Sequence, residues 1–132
     1  MDQPTQREHV EASMQYLIDH LVERVPDLTG ALVSSADGFV LASRLADGID
    51  ASSVAAMSAA TLGLATKLVQ LTGSAAAEMS VQRSTDGQVI VFAIPPAAAL
   101  TVLALARADL GRLQVVGREV ANGLERLFRG IT

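Results

Sequence analysis

Apolar residues at Val10, Met14, Leu17, Leu21 and Val25 recur every three or four positions, and Ile18 and Val22 widen the stripe. That period predicts an amphipathic helix over residues 5–25. Arg7, Glu8, Glu11, Asp19 and Glu23 fall largely between the apolar positions, as its exposed side requires. Pro26 ends the helix, because the residue before a proline is pushed out of the helical region, and Thr29-Gly30 is expected to complete the turn. The period then changes to that of strands. Residues 31–35 and 39–45 read as a pair around Ala36-Asp37-Gly38, since Asp-Gly tolerates the positive φ of tight hairpin turns. Ala46-Asp47-Gly48 breaks the second strand. Residues 76–84 alternate, with Ala77, Met79, Val81 and Arg83 on one face and Glu78, Ser80 and Gln82 on the other. Thr85-Asp86-Gly87-Gln88 is read as a turn. Residues 89–94 and 100–106 are continuous apolar runs apart from Thr101, which predicts strands covered on both faces. Pro95-Pro96 and three alanines join them. A last helix over 109–129 turns Leu113, Val116, Val120, Leu124, Leu127 and Phe128 inward.

The segment in the middle of the chain has a different pattern. Asp50 is placed to cap a helix that runs to about Leu71, and Gly73 can supply a left-handed cap at its end. Val54, Met57, Thr61, Leu64, Leu68 and Leu71 form one face at three-four spacing. Ala55, Ala59, Leu62, Thr66 and Val69 form a second. Ala56, Ala60 and Gly63 carry small residues onto the outer side, and Lys67 is the only charged residue between Asp50 and Glu78. A helix that is apolar or small nearly all round is buried on more than one side.

The order α-β-β-α-β-β-β-α predicts an α/β (α+β) domain. Its five-stranded, mostly antiparallel sheet is sandwiched between the first and last helices on one face and the middle helix on the other. Residues 76–84 have the alternation of an edge strand, without a proline and without being short, and such an edge invites another strand. Two copies paired there would continue the sheet through a two-fold axis and bring their middle helices side by side, a symmetric interface. The competing reading tucks the helix into a monomeric core.

Composition narrows the function. The 132 residues make one domain, and at 50% hydrophobic the chain is not disordered. Aromatics are 3% with no Trp, which leaves few rings to stack on a base or flat cofactor. The absence of cysteine excludes disulfides and thiolate metal sites and is compatible with a reducing compartment, so a cytoplasmic location is expected. "MDQPTQREHVEAS" lacks the apolar core of a signal peptide. No uninterrupted run of about 18 apolar residues occurs, so no membrane span is expected; residues 51–71 come nearest, interrupted by Ser52, Ser53, Ser58, Thr61, Thr66, Lys67 and Gln70. Net charge is -4, without a basic run, which makes nucleic acid a poor partner. Arg107, Arg112, Arg118, Arg126 and Arg129 are interleaved with Asp109, Glu119 and Glu125 and read as solvated helix face.

Candidate chemistry is sparse. There is no phosphate loop, dinucleotide fingerprint or nucleophile elbow. His9 and His20 lie about three turns apart on one helix, some 16 Å along its axis, too far to share a metal. Asp37, Asp47 and Asp86 each precede a glycine and read as turn residues. Ser34 and Ser35 have no histidine near them in sequence. No enzyme activity, cofactor or metal is expected.

The element order, the opening "VPDLTGALVSSADGFVLASRL", the alanine-rich helix "SVAAMSAATLGLATKLVQ" and the strand pair around "DGQVIVFAI" together resemble the Roadblock/dynein light chain family, and within it bacterial MglB-like members of actinobacterial type. The resemblance covers residues 8–129, nearly the whole of the single domain 1–132. It implies the profilin-like Roadblock fold and a homodimer with a ten-stranded sheet and paired middle helices. It also implies a small Ras-like GTPase as partner, regulated without an arginine finger, or a sensor kinase or other operon partner. On the matching positions it implies Ala56, Ala60, Gly63 and Lys67 as partner contacts, and Ala59, Met79, Val81 and Arg83 at the dimer interface. Two alternatives stand beside it: a small-molecule sensor, which would need a cavity between sheet and helix, and a structural dimerisation module for a signalling kinase.

Overall fold

A computed structural model describes residues 5–130. Its elements run α1 (Gln6–Arg24), β1 (Leu28–Ser35), β2 (Val40–Leu45), α2 (Ala51–Gln70), β3 (Met79–Arg83), β4 (Gly87–Ile94), β5 (Ala98–Leu105) and α3 (Leu110–Arg129). This is the expected α-β-β-α-β-β-β-α order. The five strands form one sheet in the order β2-β1-β5-β4-β3, with every neighbouring pair antiparallel. The long apolar strands β1, β4 and β5 occupy its middle, and β2 and β3 its edges.

α1 and α3 lie together on one face. Met14, Ile18 and Leu21 of α1 meet Leu113, Val116, Val120 and Leu124 of α3 over Ile90, Phe92, Leu100 and Val102 of the sheet. Phe92 is the largest fully buried side chain and sits beneath Gly117. A Cβ on Gly117 would come within 2.5 Å of the Phe92 ring, so only glycine lets α3 lie this close. α2 covers the opposite face and touches all five strands.

Local chemistry sets the ends. Thr5 and Glu8 form a reciprocal capping box at the start of α1. Asp50 and Asp109 cap α2 and α3 by accepting from the N–H groups of Ser53 and Arg112. The residue that reverses the chain after α1 is Asp27, with φ 67, and its carboxylate accepts from Arg107 Nε at 3.0 Å. Thr29 and Gly30, expected in that turn, belong to β1. Gly30 is required by contact: a Cβ there would lie 2.6 Å from Leu45 Cδ2 and 2.8 Å from the Arg44 carbonyl.

The two Asp-Gly turns differ. Gly38 has φ 86, as the hairpin reading requires, and its missing Cβ leaves room for the Ala56 backbone of α2. Gly87 is already part of β4; the turn before it is held by the Ser84 hydroxyl, which accepts from the N–H groups of Asp86 and Gly87. β3 is shorter than residues 76–84. Residues 75–77 are coil, because α2 competes for their backbone: Gln70 Nε2 donates to the Ala75 carbonyl at 2.8 Å, and Thr66 Oγ1 accepts from Ala77 N–H at 3.1 Å. β5 in turn begins at Ala98, so two of the three linking alanines are strand.

Candidate functional site

α2 is the anomalous element. Of its residues only Ala55 and Ser58 are fully buried. Its contact with the sheet mixes small, polar and branched apolar groups: Thr101 Oγ1 of β5 donates to Ser58 Oγ at 2.6 Å, and Ala59, Leu62, Thr66 and Val69 are half-buried along the same side. The face read from Val54, Met57, Thr61, Leu64, Leu68 and Leu71 turns outward. Met57 is 69% exposed, Leu64 70%, Leu68 65% and Leu71 84%. The intervals are three, four, three, four, three, the repeat that keeps one helical seam facing a partner helix. By length and composition alone α2 is apolar enough to cross a membrane. In this fold it lies across the sheet as a layer.

The partner contacts implied at the sequence level fall on or beside this seam. Ala56, Ala60, Gly63 and Lys67 are exposed, and a Cβ on Gly63 would meet nothing within 4 Å. The implied dimer residues are divided by the sheet. Ala59 is on the α2 side. Met79 and Val81 point to the other side, half-buried against the α1/α3 core, and Arg83 is exposed at the end of β3. A strand added at β3 would therefore meet backbone groups first.

Along the C-terminal half of α2, the coil 75–78 and the Pro95-Pro96 turn, whose peptide bond is cis, enclose a groove of about 920 Å³. Its lining is dominated by alanine. Lys67, Glu78 and Arg118 supply the charges. The Arg118 guanidinium lies 5.2 Å from the centre of the Phe92 ring. Sequence reading placed Arg118 on a solvated helix face and missed this contact. The Gly117-Arg118 pair within an apolar stretch of α3 was the available signal.

Acid–base chemistry is thin among the described residues. No three His, Cys, Asp or Glu side chains come together to hold a metal. His20 stacks on Tyr16. Ser35 Oγ accepts from Phe39 N–H and stabilises the β1–β2 turn. Ser34 is fully buried, and its Oγ has no hydrogen-bond partner in the described chain. Asp50 is held below the ordinary carboxylate range, first by the Ser53 hydroxyl and then by the Ser53 N–H. That is a capping effect.

The Roadblock/LC7 domain model matches residues 14–104. An uncharacterized protein of Methanocaldococcus jannaschii is 25% identical over 118 residues, covering 87% of this chain and 99% of that protein. Among solved structures, a Roadblock/LC7 domain from Streptomyces avermitilis superposes with TM-score 0.81 at 22% identity, over 87% of this chain and 97% of that one. Myxococcus xanthus MglB superposes with TM-score 0.85 at 16% identity, over 100% and 96%. An MglB solved with a tetrameric arrangement gives 0.80 at 20%, over 96% and 93%. These superpositions share the layered fold described above.

Proposed function

The chain belongs to the Roadblock/LC7 domain family, and from that premise we propose that it is a non-enzymatic regulatory scaffold, a homodimer that binds a small Ras-like GTPase. The observation that carries this reading is the outer seam of α2. Four large apolar side chains stand in water on a helix whose other side is already engaged, and Lys67 is its one charge. Exposed apolar patches of this kind mark interaction sites. Pairing of two copies along α2, with β3 as a second contact, covers the seam; the exposed small residues Ala56, Ala60 and Gly63 beside it then offer a flat surface to the GTPase.

A scaffold of this composition would act on GTP hydrolysis by fixing the conformation of the GTPase's own switch segments, since phosphoryl transfer needs positioned water and charge stabilisation. A signalling kinase is the other client this surface could serve. Size-exclusion co-elution with the Ras-like GTPase encoded nearest to this gene, loaded with GDP or a non-hydrolysable GTP analogue, tests the reading. A complex with one nucleotide state is expected; co-elution with neither would overturn it.

A further inference from the structure

The β3–β4 ladder ends at Met79 and Phe92; beyond it the Ala93 N–H still donates to the Glu78 carbonyl at 2.9 Å, and Ala93 and Ile94 pair with β5 on their other side. The groove described above opens there. Among the described residues, none of the Lys67, Glu78 and Arg118 side chains has a hydrogen-bond or ion-pair partner. Arg118 is half-buried, and its position is fixed: it lies on the Phe92 ring, and that ring is in turn locked beneath Gly117. A stacked guanidinium is attracted by the ring face and keeps its planar fork of donors free. The acceptor that matches such a fork is a carboxylate, which takes two parallel hydrogen bonds. Lys67 adds a second positive charge from the α2 wall. Two cations stand against the single carboxylate of Glu78, a local excess of positive charge in a chain of net charge -4.

We propose that this groove binds an extended acidic segment of the client protein, with its carboxylate on Arg118 and its apolar side chains against the alanines and the Pro95-Pro96 turn. This deepens the client-binding reading above, because Gly63 and Lys67 border both surfaces. The test titrates the full chain with a short, end-blocked peptide of alternating leucine and glutamate, and with the same peptide carrying glutamine. Nitrogen–proton NMR spectra report the Arg118 Nε–H signal. The acidic peptide is expected to shift that signal and to bind about tenfold more tightly than its neutral counterpart, as charge-assisted pairing requires. The preference should shrink several-fold between roughly 50 and 300 mM salt. Arg118→Gln should abolish it. Should that variant fail to fold, Arg118→Lys, which keeps the charge and loses the fork, should lower the preference at least about threefold. Lys67→Gln, at an exposed position, should also lower it. Equal binding of the two peptides, no binding of either, or a preference unchanged in these variants would overturn the proposal. Loss of GTPase co-elution with acidic-peptide binding intact would overturn only the GTPase reading.

Discussion

At the scale of single residues, three side chains decide local matters that composition alone does not reveal. Gly117 admits the Phe92 ring under α3. Gly117→Ala should lower the free energy of unfolding by about 1–3 kcal/mol, because a methyl group 2.5 Å from the ring forces backbone or ring to move. Urea unfolding monitored by circular dichroism measures this. Ser34 presents the opposite case. Its buried, unpartnered Oγ costs desolvation without return, so Ser34→Ala should raise stability by about 1 kcal/mol. Asp50 has a lowered carboxyl pKa in the folded chain, so its contribution is present above the ordinary value of 3.8 and lost as pH falls through the lowered folded value. Asp50→Asn, which can still cap, should therefore flatten the acid limb of the stability profile more than it lowers the neutral plateau. The three helix starts, at Thr5, Asp50 and Asp109, were legible or nearly so because capping is local chemistry. Gly30 was not. Its role is a contact with Leu45, fifteen positions away, and nothing in the residues around it distinguishes a close approach from a turn.

At the scale of elements, periodicity located all eight, and the errors fall at boundaries where a side chain from another element takes over the backbone. Residues 75–77 had the alternation of a strand, but Gln70 and Thr66 of α2 bind their backbone first and cut β3 to five residues. The pattern of α2 gives two apolar faces, and the sheet sits against the inner one. The outer one predicts an experiment. Leu64→Glu or Leu68→Glu changes a side chain that is already mostly in water, so the stability of the separated chain should shift by less than about 0.5 kcal/mol. If that seam pairs with another copy, the same change should weaken self-association by at least about 2 kcal/mol, since each carboxylate would be forced into an apolar contact. Sedimentation equilibrium of the variant beside the parent chain separates these two effects.

At the scale of the whole molecule, the layered arrangement is asymmetric. One face of the sheet is closed by two helices with a conventional core of leucine, isoleucine, valine, methionine and alanine around the fully buried Phe92. The other is closed by a single helix that reaches it through alanine, serine and threonine, with Leu62 and Val69 half-buried beside them, and leaves Met57, Leu64 and Leu68 outside. The fold follows from the first face, and the proposed function follows from the second. Sequence periodicity conveyed both because each is written along one helix at a time. The groove at Arg118 escaped because it is assembled from α2, a coil, a hairpin turn and α3, and no local pattern marks their meeting. The most direct measurement is the solution mass of the chain at micromolar concentration by sedimentation equilibrium. Self-pairing through α2 predicts a species at twice the 13.7 kDa chain mass that Leu64→Glu returns to a single copy. A parent chain that sediments as a single copy at that concentration would contradict it.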